Sequence, residues 1–229
     1  MGRQRHAIVR TLGTMGYDEA WELQKNLQRA RIAGEIPDML LFVQHPPVYT
    51  LGRGGQAEHL LLHEQALREK GIAFRHVDRG GDITFHGPGQ LVGYFIVDLR
   101  ALYLDLHKFF RDIEEILIRT LRDCGLTASR KEGLTGVWVD RDKVAAIGLE
   151  VRRWVTMHGF ALNVHTDLSY FEGIVPCGLS DTGVTSIEQL LDRRIELDEV
   201  MERVVAHFEE VLDRRVIGER SNACVKRET

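Results

Sequence analysis

Residues 79–94, RGGDITFHGPGQLVGY, place five glycines, one proline and one histidine among apolar β-forming residues. A glycine pair, a short strand and then Gly-Pro-Gly describe a backbone that must pass very close to a neighbour. Glycine permits this because it lacks Cβ and tolerates positive φ. Further strand signals surround this segment at 7–12, 39–43, 75–77, 83–97, 136–139, 143–151 and 159–164, with VDRDK reading as a hairpin turn. Helices are few. One is expected over 17–32 with Ala20, Leu23, Leu27 and Ala30 on its buried face, and another from Leu106 to about Cys124. A third spans 198–212, while 44–58 reads as a turn-rich loop with His45 as loop punctuation. The regular βαβα alternation of a doubly wound fold is missing. The pattern predicts an α+β fold, a large mixed β-sheet flanked by helices, in one domain over 1–229 whose residues after about 215 fray.

Composition narrows the partners. A formal net charge of -4 argues against nucleic acid, whose phosphates demand a basic excess. No apolar run approaches the ~20 residues of a membrane span, and the N-terminus lacks a signal-peptide core. Three cysteines, Cys124, Cys177 and Cys224, lie far apart, which favours free thiols and a cytoplasmic setting. No His/Cys spacing resembles a metal-ligand motif, and neither GxGxxG nor GxxxxGK[ST] occurs.

Chemistry could reside at Cys177, in IVPCGLS. Pro176 fixes the chain before it, and the Gly178 amide after it is a natural oxyanion donor. A free cysteine is equally often a small buried hydrophobe. Lys143 opens the strand KVAAIGLEV; it either points to solvent or lies beside Cys177, where it would stabilise a thiolate and shuttle a proton. His86 and His158 are either hydrogen-bonded turn and strand-start residues or site residues.

Four motifs in order, RGGDITFHGPGQLVGY, KVAAIGLEVR, HGFALNV and IVPCGLSDTGVTSI, resemble the lipoyl(octanoyl) transferases of the biotin/lipoate protein ligase superfamily, and the HPPVYTLGR segment extends the likeness towards residue 45. The resemblance implies transfer of an octanoyl group from octanoyl-acyl carrier protein to a lysine of lipoyl domains. The acceptors would be those of 2-oxo acid dehydrogenase complexes and the glycine cleavage H protein. It implies Cys177 as acyl-carrying nucleophile and Lys143 as its partner. Substrate contacts map onto Arg79, Gly80, Gly81, Asp82, Ile83, Thr84, Phe85 and His86, onto Ala146, Ile147 and Gly148, and onto Gly159, Phe160 and Ala161. No cofactor or metal is called for, and a monomer is expected. Gly80, Gly81, Gly148 and Gly159 would leave room for the acyl chain. The alternatives are an ATP-dependent lipoate–protein ligase, a thioesterase-like cysteine hydrolase and a non-catalytic binding module.

Overall fold

The computed structural model describes residues 6–175 and 183–217. The chain opens with strand β1 (His6–Thr14) and helix α1 (Tyr17–Ala33). Asp18 and Glu19 favour the positive helix start, and Gly34, at φ 79°, ends it in the left-handed conformation. Strand β2 (Asp38–Gln44) follows, then β3 (Val48–Leu51), the short helix α2 (Glu64–Glu69), β4 (Ala73–His76) and β5 (Ile83–His86). Strand β6 (Gln90–Ile96) leads to helix α3 (Leu106–Asp123), whose Asp105 side chain accepts the Lys108 amide as an N-cap. Strands β7 (Val137–Val139), β8 (Asp142–Arg152) and β9 (Val155–Asn163) form a meander. Helices α4 (Ile187–Leu191) and α5 (Leu197–Leu212) and the short strand β10 (Arg215–Val216) complete the described residues.

Seven strands form a mixed sheet in the order β10-β1-β2-β6-β9-β8-β7, and β4-β3-β5 form a second, smaller sheet. In the large sheet β1 runs parallel to β2 and β10, and the other pairs are antiparallel. This is the expected α+β fold with a large mixed sheet flanked by helices. Strand β2 shows why its apolar run is continuous. Leu40 and Phe42 join a core with Phe109 and Ile113 of α3 and Val204 and Phe208 of α5. Met39 and Leu41 point the other way, into a core closed by Ala20 and Trp21 of α1. Both faces are covered, so no polar alternation is needed.

Five expectations change. The strand signal over 83–97 is broken at Gly87-Pro88-Gly89, and the two halves join different sheets, β5 the small one and β6 the large one. Gly89 makes that crossing possible. It has φ 79°, and a Cβ there would lie 2.5 Å from the His165 carbonyl oxygen. The expected loop 44–58 holds β3, the central strand of the small sheet, with all four residues buried. The flanking prolines and glycines masked its Val-Tyr-Thr-Leu strand chemistry. His45 is likewise no surface punctuation: it is fully buried.

The fully buried positions of α1 include Gln24, Gln28 and Arg31 beside Ala20, whereas Leu23, Leu27 and Ala30 are half-buried. The polar side chains serve backbone groups and charges inside the fold. Gln24 accepts the His158 amide at 2.9 Å, Gln28 donates to the Val155 carbonyl at 3.0 Å, and Arg31 binds Asp38 at 2.8 Å. Finally, Arg215 and Val216 do not fray: they pair with His6 and Ala7, and the rest of the expected tail lies outside the described residues.

Candidate active site

A cleft of about 370 Å³ opens between the two sheets on the side of the large sheet that carries α1. Register explains its floor. Ala146 of β8 pairs with Ala161 of β9, and Gly148 with Gly159, so four small residues lie where a larger pair would fill the space. Val92 and Tyr94 of β6 continue the floor, and Thr84 and His86 of β5 form part of the wall. All the substrate positions implied by the sequence border this cleft except Gly80 and Phe85. Phe85 projects to the far side of β5 and stacks on Tyr170 at a centroid distance of 4.5 Å. Gly80 is instead tied to β8, donating its amide to the Leu149 carbonyl at 2.8 Å. Ile147 and Phe160 border the cleft but pack into the core beneath α3 and α5.

The glycines have a different reason from the one the sequence suggested. A Cβ on Gly159 would lie 2.1 Å from the Gly93 carbonyl oxygen, and one on Gly148 2.8 Å from the Gly80 oxygen. Backbone passing against backbone already demands glycine at both positions. Asp82 is also committed internally: it accepts the Ile83 amide at 2.7 Å and pairs with His59 at 2.5 Å.

Lys143 stands at one end of the cleft, where β8 begins. Its amide donates to the Gly183 carbonyl at 2.9 Å, and its carbonyl accepts the Thr185 amide at 3.0 Å. This two-bond parallel clasp, centred on Val184, fixes the chain just after residue 182. On the preceding side, Ile174 bridges Leu60, and the Val175 amide donates to the His59 carbonyl at 2.8 Å. Both anchored ends flank the segment that carries Pro176, Cys177 and Gly178. Those three residues, and Cys224, lie outside the described residues. Cys124 is buried against α5, 3.3 Å from Arg203.

The other end of the cleft is polar. His158 lies within β9 rather than at its start, and adopts φ 63°, a left-handed backbone uncommon for a non-glycine residue. Its Nε2 meets Asp78 Oδ1 at 2.7 Å, and Trp21 donates to the same oxygen at 3.0 Å. Burial holds His158 below the usual histidine range, partly opposed by Asp78. Burial would raise Asp78, but the hydrogen bonds from His158 and Trp21 outweigh it and hold the carboxyl low. The result is a neutral imidazole donating to a carboxylate.

His45 is pushed down to about 4 by burial, against the opposing Met15 hydrogen bond. Its Nδ1 donates to the Met15 carbonyl at 2.8 Å and its Nε2 accepts from the Tyr94 hydroxyl at 2.6 Å. His86 is held well below its ordinary range by burial and then by the nearby His45 and Arg79. Sequence reasoning missed His45, Thr50, Tyr94, Gln90 and Asn163. Only His45, Gln90 and Asn163 carried a signal, each being a polar residue at a strand end. Among the described residues no cluster of three His, Cys, Asp or Glu side chains could hold a metal. No helix among them is long and apolar enough to cross a membrane.

The fold agrees with what this chain is similar to. The model of the lipoyl protein ligase A/B catalytic domain matches residues 16–209. An octanoyltransferase of Christiangramia forsetii is 46% identical over 89% of this chain and 94% of its own length. One of Rubrobacter xylanophilus is 51% identical over 90% of this chain and 93% of its own. Among solved structures, a bipartite lipoate protein ligase of Thermoplasma acidophilum, studied with its E2 lipoyl domain, superposes with a TM-score of 0.71. It shares 20% identity, covers 94% of this chain and 89% of its own, and so bears on the fold alone.

Proposed function

The chain belongs to the lipoyl protein ligase A/B catalytic-domain family and is an octanoyltransferase acting in protein lipoylation, and from that premise we propose that it works through a thioester on Cys177. The donor is octanoyl-acyl carrier protein, and the acceptor is a lysine of a lipoyl domain in a 2-oxo acid dehydrogenase complex or the glycine cleavage H protein. The reaction takes place in the cytoplasm, by one catalytic domain acting as a monomer, without cofactor. The observation that carries the reading is the clasp between Lys143 and residues 183–185, beside a cleft floored by Ala146 and Ala161. It brings the end of the Cys177 segment to the lysine at the point where an acyl chain could enter.

In the first half-reaction the Cys177 thiolate attacks the donor thioester carbon. The new C–S bond forms, the donor C–S bond breaks, and the Lys143 ammonium gives its proton to the departing thiolate, which leaves as a thiol. The Gly178 amide meets the transient oxyanion. In the second half the neutral acceptor amine attacks the acyl-Cys177 carbon. The C–N bond forms, the Cys177 C–S bond breaks, and Lys143 takes the proton from nitrogen. The thiolate and ammonium are regenerated. Thioester exchange is close to neutral and amide formation is downhill, so no nucleotide is consumed. The apolar stretch of the cleft supplies affinity: at ~0.8 kcal/mol per methylene, the chain beyond the carbonyl contributes up to about 5 kcal/mol.

Intact-protein mass spectrometry after mixing with octanoyl-acyl carrier protein tests this directly. Wild type should gain one octanoyl group and lose it on addition of a lipoyl domain, while Cys177→Ala should gain none. An equal adduct on both proteins, or lipoyl-domain modification only with ATP and free acid, would overturn the mechanism.

A further inference from the structure

Six buried residues, from four strands, the loop before β5 and the segment before α4, form one hydrogen-bonded chain beside the cleft. Arg79 Nη2 donates to Thr50 Oγ1 at 2.9 Å, and Thr50 Oγ1 lies 3.3 Å from His86 Nε2. His86 Nδ1 lies 2.9 Å from Gln90 Oε1, Gln90 Nε2 donates to Asn163 Oδ1 at 2.9 Å, and Asn163 Nδ2 donates to the Thr185 carbonyl at 3.1 Å. All six residues are less than a tenth exposed.

The direction of every bond is fixed by the ends. A carbonyl can only accept, so Asn163 presents its amide nitrogen to Thr185 and its oxygen to Gln90. Gln90 must then present nitrogen to Asn163, and the same nitrogen donates to the Phe85 carbonyl at 3.1 Å. Its oxygen faces His86, so Nδ1 carries the proton and Nε2 accepts from Thr50, as a neutral ring requires. The Thr50 oxygen accepts in turn from the guanidinium. No link can be reversed alone. The last link holds Thr185, whose own amide donates to the Lys143 carbonyl.

We infer that Gln90 and Asn163 are positioning residues for the acyl transfer: they lock residues 183–185 onto Lys143 and so set where the Cys177 segment rejoins the fold. The inference rests on the Cys177–Lys143 reading above. Cys177 precedes Gly183 by only six positions, so a displaced clasp moves the thiol relative to the amine. A misplacement of about 1 Å can cost on the order of a hundredfold in rate.

Asn163→Asp tests this with a readout that simple destabilisation would not move. Protonated, the new carboxyl can still donate to the Thr185 carbonyl; ionised, it sets an anionic oxygen against that carbonyl. The variant should therefore approach wild-type kcat near pH 6 and fall about tenfold or more below it near pH 8.5, with KM unchanged. Asn163→Leu, which cannot donate at any pH, should show the loss throughout, and Gln90→Glu should show the Asp-like profile. Wild type and Cys177→Ala run in parallel. If Cys177→Ala transfers octanoate like wild type, the mechanism fails. If Cys177 is required but the Asn163 and Gln90 variants keep wild-type kcat at every pH, or lose activity at every pH only in proportion to lost fold, the inference alone is overturned.

Discussion

The amine of Lys143 lies 4.9 Å from the centroid of the Trp138 ring, a cation over the negative face of an indole. Trp138 is fully buried in β7, and Gly136 leaves the space through which the lysine stem passes. A Cβ there would lie 3.3 Å from Lys143 Cε and 2.7 Å from the Ala145 oxygen. Tryptophan gives the strongest such contact, about 1–2 kcal/mol when desolvated, and phenylalanine a weaker one. Trp138→Phe should therefore lower the octanoyl transfer rate by about three- to tenfold through a less firmly held amine. Transfer kinetics beside a thermal melt check this, and an unchanged kcat in a folded variant would show that the indole does not hold Lys143.

The neutral His45 makes stability fall with acid. Its folded value of about 4 lies below the ordinary 6.5, so as pH drops through that window the unfolded chain binds a proton that the native state refuses. Stability is full above pH 6.5 and declines towards pH 4, by about 3 kcal/mol from this residue. His86, lowered in the same direction, adds to the slope. Urea unfolding at pH 7, 5.5 and 4.5 measures it. His45→Gln can still donate to Met15 and accept from Tyr94, and it should flatten the slope. An unaltered slope would show that His45 is not buried neutral.

The alternating and continuous apolar runs disclosed β2, α3 and the β7–β9 meander, because burial against a neighbour leaves a periodic trace in the chain itself. The glycine-rich run at 79–94 marked close backbone passage, whereas the cleft positions within 79–86 came only from the family resemblance, and Gly80 and Phe85 among them do not border the cleft. Polar burial leaves no such trace. Gln24 and Gln28 look like the exposed side of α1 until His158 and Val155, more than a hundred residues away, are seen to need their hydrogen bonds. Thr50 was hidden likewise, and Gln90 and Asn163, though polar at strand ends, gain their meaning only beside it, since the three belong to different strands. His45 read as a loop residue because Pro46 and Pro47 follow it, yet the prolines only turn the chain from one sheet to the other.

One buried carboxylate ties the C-terminal end of the described chain to the end of α1. Asp38 accepts Arg31 at 2.8 Å on one oxygen and Arg214, just before β10, at 2.9 Å on the other. The Arg31 side chain is 7% exposed and that of Arg214 2%. Asp38→Ala would leave buried Arg31 with only Asp98, 3.6 Å away, and buried Arg214 with only long bonds to the Leu212 and Asp213 carbonyls, and removing one partner from a buried pair costs about 3–5 kcal/mol. At 2–4 °C per kcal/mol, the melting temperature should fall by roughly 10 °C. A change of under 2 °C would mean that solvent reaches both arginines once the carboxylate is gone.

Chain-length selectivity should reside in the floor of the cleft, and Ala146 is the place to test it. Gly81→Val is a poor probe, since Gly81 has φ 86° and any side chain there is strained whatever the space. Ala146 lies in regular strand, paired with Ala161 on the cleft face and half-buried. The isobutyl group of Ala146→Leu would occupy space that an octanoyl tail otherwise fills. Octanoyl transfer should weaken while hexanoyl transfer is spared. Two methylenes at ~0.8 kcal/mol each carry about a tenfold preference, and the variant should erase most of it. Competition between hexanoyl and octanoyl donors, read as the ratio of modified lipoyl domain, measures the shift. An unchanged ratio in a folded, active variant would place the acyl chain elsewhere in the cleft, along the wall of Thr84 and His86 rather than over the alanine pair.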